Sequence, residues 1–346
     1  MSLSNNDLYS YHLPEHLIGN APKEKRDESR LFVFNTMTGE VTFDLFKNIG
    51  TYLPNNSLLV LNETKVVPAR VLLYKKTGGK VEVLFLMNLW QDNEKIVKGI
   101  VDRKVEVGDM LTFGDETMKV TQQDENIFYF QMSCDANKFR QLLTKHGKTP
   151  VPHYIKGVTL HEEALRERYQ TVFAKEAYSV AAPTASLHFT EEVFVKLASC
   201  GVDRTTLTLH VGLGTFKPLT KENFETNSLH GERYVIGEKS LQKINDAKES
   251  RRSIIAVGTT TVRTLESYAV TKKREGETTI FIHPPYDFRM VDHMITNFHL
   301  PNSSLMMLVE AFLRHKKSSK HLVELYEIAI KDGFQFYSFG DSMLIL

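Results

Sequence analysis

Several stretches of the chain combine an apolar run with side chains that donate, accept or hold protons. They are SVAAPTASLHFT (179–190), LTLHVGLGTF (207–216), IIAVGTTTVRTLES (254–267) and ITNFHLPNSSLMMLVEAF (295–312). Three of these stretches carry a histidine, the residue type that ordinarily titrates closest to neutral pH, and the threonine hydroxyls and the amide of Asn297 add neutral donors and acceptors. Such a set is suited to general acid–base chemistry.

Three of these stretches have the same predicted architecture: a strand, a polar bend and the start of a helix. The run up to Gly258 ends in Thr259-Thr260-Thr261 at a helix N-terminus, where backbone amides are also free to bind a ligand. Ligands of open α/β sheets bind beyond the carboxyl ends of the strands. The sequence therefore predicts one pocket in which these strand ends meet.

Each motif also has an interpretation in which it is purely structural. The small residues of SVAAPTAS fit close packing on a strand as well as contact with a flat ligand. Gly212-x-Gly214 lacks the third glycine of a dinucleotide motif, because Lys217 stands there. Arg263 and Glu266 form either a surface pair worth about 0.2–0.5 kcal/mol or a polar pair that faces the strand-end crevice.

The elements around these motifs predict an α/β domain interrupted by an all-β insertion. Short strand-like runs such as KVEVLFL, IVKGIV and NIFYFQM, separated by glycine-containing turns, indicate a small antiparallel barrel over residues 67–152. Residues 1–66 and 153–346 alternate strands with amphipathic helices and form the predicted discontinuous catalytic domain. The predicted fold class is therefore a large layered α/β domain with an inserted small antiparallel β-barrel.

The composition and the absence of several known motifs argue against some classes of protein. The 346 residues carry a formal net charge of +1 and contain two cysteines, which fits a reducing compartment and argues against a zinc ribbon or an iron–sulfur site. We find no HExxH, GxSxG or P-loop motif, no secretory leader and no apolar run of membrane-spanning length. We expect a cytoplasmic protein without a metal site.

A family resemblance extends over nearly the whole chain. The chain resembles the S-adenosylmethionine:tRNA ribosyltransferase-isomerases of bacterial queuosine biosynthesis on collinear motifs that include SRLFVFN, SLLVLNETKVVPAR, SVAAPTASLHFT, LHGERYVI, VDHMITNFHLP and FGDSMLIL. The resemblance implies transfer of the ribosyl part of S-adenosylmethionine to 7-aminomethyl-7-deazaguanine at the tRNA wobble position. It implies release of adenine and methionine, no bound cofactor, and tRNA as the partner. We expect a monomer, although the sequence does not determine the oligomeric state.

The resemblance also implies a set of site residues. Proton transfer would involve residues of the matching motifs: His188, His210, His299, Glu232 and Glu266. Substrate contacts would come from Thr184, Phe189, Gly212, Gly214, Thr215, Phe216, Thr259, Thr260, Arg263, Asn297 and Phe298, with the phenylalanines facing the sulfonium cation. One of the three histidines would act as the general base, and the sequence does not distinguish among them.

The chain departs from the family pattern at several positions. Tyr178 and Ser186 stand where the family carries glycine on either side of VAAPTA, Pro285 replaces a glycine, and Asn302 replaces a lysine. Two rival functions remain open on the sequence alone. A non-catalytic RNA-binding protein would concentrate basic and aromatic residues in the barrel, and a tRNA methyltransferase would release S-adenosylhomocysteine instead of adenine.

Overall fold

Nine strands form one large mixed sheet in a computed structural model that describes residues 9–152, 155, 160–212 and 219–346. They are β1 (Arg30–Phe34), β2 (Val41–Leu45), β3 (Leu58–Asn62), β12 (Asp203–Leu209), β13 (Ser228–Val235), β14 (Ile254–Val257), β15 (Glu275–Ile280), β16 (His293–Asn297) and β17 (Ser342–Ile345). Their order across the sheet is β15-β13-β12-β3-β14-β16-β17-β1-β2.

The centre of this sheet consists of four neighbouring parallel strands, β12, β3, β14 and β16. Alternate residues of β3 enter two different cores: Leu58 and Val60 pack on one face, and Leu59 and Leu61 pack on the other. Burial on both faces explains why these strands are continuous apolar runs in the sequence. Because the four strands are parallel, their carboxyl ends lie at one edge of the sheet.

Helices cover both faces of the sheet. On one face α3 (Glu191–Ser199) packs through Val193, Phe194 and Leu197. The other face is covered mainly by α5 (Glu238–Glu249), α6 (Thr259–Thr271), α7 (Ser304–His315) and α8 (Leu322–Lys331). The remaining described helices are α1 (Ala136–His146), α2 (Glu162–Arg168) and α4 (Lys221–Glu225). No helix in the described part of the chain is long and apolar enough to cross a membrane.

Six antiparallel strands close into a separate barrel, as the short runs in the sequence predict. In chain order they are β5 (Arg70–Lys75), β6 (Lys80–Phe85), β7 (Ile96–Val101), β8 (Met110–Phe113), β9 (Glu116–Asp124) and β10 (Ile127–Met132). Helix α1 contributes Phe139, Leu142 and Leu143 to the barrel core. A short parallel pair, β4 (Thr64–Val66) with β11 (Glu176–Ser179), lies beside the point at which the barrel is inserted.

The chain enters and leaves the barrel at a neck where Arg70 and Lys148 pair, and Val180 from outside the barrel also packs into its core. The Arg70 amide donates to the Lys148 carbonyl at 3.2 Å, and the Lys148 amide donates back to the Arg70 carbonyl at 2.7 Å. A Cβ on Gly147 would lie 1.8 Å from the Pro68 carbonyl oxygen, so this crossing requires glycine. All six barrel strands and α1 lie within the predicted insertion, whose limits at residues 67 and 152 stay a prediction.

Candidate active site

A cleft with about 690 Å³ of empty space, part of it open to solvent, lies at the carboxyl ends of the parallel strands. We call it the main cleft. Its wall comes from residues 182–185, Val211, residues 258–260, residues 296–300 and residues 337–338, together with Ser303 and Leu305 at the start of α7. The strand ends that the sequence predicts to converge thus share one hollow.

The turn from β14 into α6 brings backbone close to the 182–185 segment. Gly258 has φ +83°, a conformation that side-chain-bearing residues rarely adopt, and a Cβ there would lie 3.7 Å from that of Ala185. Thr259 and Thr260 follow in the cleft wall, as does Thr184 from the facing segment. These three of the four predicted threonine contacts therefore lie on two sides of the same space; the fourth, Thr215, lies outside the described residues.

Asn62, at the end of β3, was not among the predicted site residues, yet it connects three strand-end segments. Its Nδ2 donates to the Leu209 carbonyl at 3.0 Å and to Thr260 Oγ1 at 3.2 Å, and its Oδ1 accepts the amides of Leu209 and Thr64, each at 3.1 Å. The amide is fully buried with all its hydrogen bonds made. A polar residue directly after the apolar run SLLVL was the available signal.

His299 lines the main cleft as a neutral hydrogen-bond donor. The Tyr326 hydroxyl accepts the His299 backbone amide at 3.0 Å and lies 3.2 Å from Nδ1, so its single proton is donated to Nδ1. The ring then carries its own proton on Nε2, which lies 3.3 Å from Thr296 Oγ1. Burial lowers the pKa of His299 to about 3, so the imidazole is uncharged at neutral pH.

His188 lies behind the cleft wall rather than in it. Its Nδ1 is 2.8 Å from Ser29 Oγ, and burial lowers its pKa to about 4, against a smaller opposite effect of Asn297. Within the described chain, His188 Nε2 and Asn297 Oδ1 each lack a hydrogen bond of good geometry, although they are complementary as donor and acceptor. Asn297 lines the cleft and donates to the Tyr337 carbonyl at 3.0 Å. His188 thus lies beside Asn297 instead of lining the cleft itself.

His210 lies where β12 ends, between the sheet and the barrel. Its Nδ1 is 3.0 Å from Thr64 Oγ1, and burial, reinforced by the nearby charge of Arg233, lowers its pKa to about 4. The ring packs edge-on against Tyr178 at 5.3 Å. Tyr178 in turn lies 4.6 Å from the Arg140 guanidinium of α1. The bulky residue at this family glycine position thus packs between His210 and the barrel.

Arg263 and Glu232 form a buried ion pair next to the main cleft. With His230, Ser304 and Leu308 they line a second hollow, which has about 350 Å³ of empty space, part of it open to solvent, and we call it the side pocket. Leu305 lines both hollows. Glu232 also accepts the Gly212 amide at 2.9 Å. The pairing of Arg263 with Glu266 is therefore absent, and both residues of that expected surface pair are buried.

Glu266 has a structural task away from the cleft. Its carboxylate accepts the backbone amides of Arg289, Met290 and Val291 at 2.9–3.3 Å and the Tyr286 hydroxyl at 3.3 Å. It does not line either hollow. The structure therefore does not support a catalytic role for Glu266. Its contacts hold the 286–291 segment in place.

The predicted aromatic partners of the sulfonium pack elsewhere or lie outside the described residues. Phe189 is fully buried against Phe46 and Phe194 in the core under α3. Phe298 belongs to the cleft wall, but its ring is fully buried among those of neighbouring aromatic residues, including Phe336. Neither ring is placed to face a cation in the cleft. Three further predicted contacts lie outside the described residues: Gly214, Thr215 and Phe216.

Tyr337 is a further cleft residue that sequence reasoning missed. It lines the cleft with Ser338 and has φ +72°, an unusual conformation for a bulky side chain. Strain of this kind concentrates at functional sites. Within the described chain, no group of three or more His, Cys, Asp or Glu is arranged to hold a metal ion.

The strand-end cleft and the inserted closed barrel define an α/β protein with a candidate ligand site beside an all-β module. The chain belongs to the family of queuosine biosynthesis proteins, which it matches over residues 6–345. The resemblance carried by the sequence motifs is thereby confirmed.

Individual relatives match over almost their whole length. The S-adenosylmethionine:tRNA ribosyltransferase-isomerase of Carboxydothermus hydrogenoformans is 44% identical, with 98% of each chain covered. The protein of the same name from Thermoanaerobacter sp. is 41% identical, again with 98% of each chain covered. The crystal structure of S-adenosylmethionine tRNA ribosyltransferase from Thermotoga maritima aligns with a TM-score of 0.54 at 31% identity, covering 98% of this chain and 99% of that one. The predicted fold class is confirmed by this match.

Proposed function

We propose that the protein is an S-adenosylmethionine:tRNA ribosyltransferase-isomerase. It transfers the ribosyl group of S-adenosylmethionine to 7-aminomethyl-7-deazaguanine at the tRNA wobble position and forms epoxyqueuosine, with release of adenine and methionine. Family membership and the full-length relatives support this function. The observation that carries it is the main cleft, in which strand ends bring hydroxyls, an amide and a neutral imidazole together.

The chemistry accounts for these groups. The positive sulfur of S-adenosylmethionine acidifies the neighbouring 5′-CH₂, so a base that removes this proton starts the expulsion of adenine. The aminomethyl group of the tRNA base then attacks the sugar, and epoxide closure expels methionine. The reaction needs a proton acceptor near C5′, a donor for the departing adenine nitrogen, and protection of the intermediates from water.

We assign these tasks to the histidines from their hydrogen bonds. His299, with its proton on Nε2, donates a hydrogen bond to the departing adenine nitrogen from the cleft wall. His210 does not line the main cleft, but its chain neighbour Val211 does, and we assign the proton acceptor to His210 from this position at the end of β12. Its lowered pKa keeps the ring uncharged, and of its two ring nitrogens only Nδ1 has a partner in the described part of the chain. His188 acts through Asn297. Thr184, Thr259 and Thr260 contact the nucleoside, and Gly212 positions Glu232.

The test is turnover of S-adenosylmethionine with tRNA that carries the deazaguanine precursor. We expect equimolar free adenine and methionine, and an epoxyqueuosine nucleoside in digested tRNA by mass spectrometry. S-adenosylhomocysteine as the product would identify a methyltransferase, and tRNA binding without turnover would identify a non-catalytic RNA-binding protein. Either result would reject the proposal.

Histidine variants test the assigned roles. We expect His210→Ala and His299→Ala each to lower kcat by at least about 100-fold, the usual contribution of a general acid or base. His188→Ala should have a smaller effect. The matched control is His293→Ala, a largely buried histidine at the opposite end of β16 whose pKa is also lowered to about 4. Near-normal turnover of His210→Ala would remove it as the base.

The proposal includes a cytoplasmic location, where tRNA and S-adenosylmethionine are both available, and a monomeric enzyme. Light scattering coupled to size-exclusion chromatography, with and without tRNA, measures the oligomeric state. A mass near 39.6 kDa for the free protein is the expected result.

A further inference from the structure

One edge of the buried Arg263 guanidinium makes no hydrogen bond to the part of the chain that the structure describes. Only 5% of the residue is exposed, and its Nη1 donates to Glu232 Oε2. Neither Nε nor Nη2 has a hydrogen-bond partner within the described chain. An unsatisfied buried donor usually costs about 1–3 kcal/mol, so two on one side chain call for an explanation.

The geometry of this edge selects the kind of group that completes it. Nε–H and the nearer Nη2–H lie on the same side of the planar guanidinium and point in parallel. Their spacing matches the two oxygens of a carboxylate, which accept from such a fork in a bidentate manner. The Glu232 carboxylate holds the opposite side of the group and so fixes its plane.

The surroundings point to a ligand that carries both signs of charge. Arg263 and Glu232 together have no net charge, and both line the side pocket. Ser304, the first residue of α7, lies in the same wall, where the amino end of a helix favours an anion. An anion alone would meet Glu232 unfavourably, whereas a zwitterion with one carboxylate and one ammonium complements both residues.

We propose that the side pocket binds the α-amino-carboxylate end of S-adenosylmethionine. Arg263 takes the carboxylate through Nε and Nη2, and Glu232 takes the α-ammonium. The methionyl chain passes Leu305, which lines both hollows, so the nucleoside occupies the main cleft and the sulfonium lies at the junction. This inference rests on the proposed function, and it makes Glu232 a substrate-binding residue instead of a proton-transfer residue.

The binding test compares two ligands on the unaltered protein by isothermal titration calorimetry. Decarboxylated S-adenosylmethionine keeps the nucleoside, the sulfonium and the amine but lacks the carboxylate. We expect it to bind about 10- to 100-fold more weakly, the usual effect of losing hydrogen bonds to a charged group. Equal affinity would overturn the inference and leave the proposed function intact. Failure of S-adenosylmethionine itself to bind would instead count against the proposed function.

A variant of Arg263 tests whether this residue is the one that binds the carboxylate. Arg263→Lys keeps the charge but loses the bidentate edge, so S-adenosylmethionine should bind about 10- to 100-fold more weakly while the decarboxylated ligand changes little. The matched control is Arg252→Lys, whose guanidinium donates to the Asn56 and Ser57 carbonyls at the other end of the sheet. Equal weakening of both ligands by Arg263→Lys would show a structural role and refute the assignment.

Competition experiments distinguish two anions that Arg263 could bind, the carboxylate of the methionyl group and a phosphate of the tRNA backbone. Free L-methionine is expected to compete with S-adenosylmethionine, to lose this effect in Arg263→Lys, and to exceed inorganic phosphate at equal concentration. Competition by phosphate at least as strong as that by methionine would overturn the assignment. Circular dichroism melting of each variant verifies folding, and the two-ligand comparison needs no variant.

Discussion

Removing the Glu266 carboxylate is expected to lower the stability of the fold and to leave the turnover of the folded protein unchanged. The group is fully buried and accepts backbone amides of Arg289, Met290 and Val291. Glu266→Ala leaves these three amides without their acceptor, at about 1–3 kcal/mol each when buried. Since the losses overlap, we expect about 3–6 kcal/mol, a large part of the 5–15 kcal/mol that ordinarily separates folded from unfolded protein.

Glu266→Gln should cost much less, about 1–2 kcal/mol, because one amide oxygen remains. That oxygen can keep the three backbone amides, and the new NH₂ group can donate to the Tyr286 hydroxyl, which is able to turn and accept. The predicted order of stability is therefore wild type, then Gln, then Ala. Denaturant unfolding followed by circular dichroism measures it, with turnover determined at a temperature at which all variants are folded.

The control is Glu310→Gln. Glu310, a residue of α7, is another buried carboxylate away from both hollows; it accepts the Leu322 amide at 2.8 Å and pairs with Arg314 and His321. We expect both glutamine variants to lose stability and to keep their turnover. If Glu266→Gln unfolded like wild type but lost turnover by tenfold or more, the carboxylate would be acting in catalysis and our structural account of it would be wrong.

Acid should destabilise the protein between about pH 6.5 and 4: the buried histidines stay neutral there, with pKa values near 3–4, while the unfolded chain takes up protons. Each buried histidine lowers the free energy of unfolding by up to about 1.4 kcal/mol per pH unit as the pH falls through this range. A free energy of unfolding that does not change over this range would contradict the prediction. His293→Gln should make the free energy of unfolding less dependent on pH. Gly258→Ala, at φ +83°, should lower stability by about 1–3 kcal/mol and weaken S-adenosylmethionine binding; an unchanged melting temperature would count against strain there. Asn62→Leu should cost about 2–4 kcal/mol through unpaired groups of Leu209 and Thr64, with Asn62→Asp between it and wild type in thermal melting.

The strand ends were predictable because local patterns determine them. An apolar run such as IIAV, buried on both faces, followed by Gly258 and threonines, indicates a strand and a helix start without knowledge of the rest of the chain. The barrel was predictable for the same reason, since short strands and glycine turns recur at close intervals. Fold class and the shared cleft follow from such signals.

The partners of individual side chains were not predictable, since they depend on distant segments. Spacing along α6 made Arg263 and Glu266 neighbours, but β13 supplies Glu232 to the first and the 286–291 segment takes the second. The family resemblance likewise implied that Phe189 and Phe298 face the sulfonium cation. Tertiary packing places both rings in apolar cores instead.

The neck at Arg70 and Lys148 shows how the barrel is connected to the α/β domain. Since the chain leaves and rejoins the α/β framework across one antiparallel rung, excising the barrel would bring two already adjacent ends together. The strand order of the nine-stranded sheet would be untouched. In topological terms the barrel is therefore a simple insertion between two neighbouring positions of the chain, and no connection between strands of the large sheet depends on it.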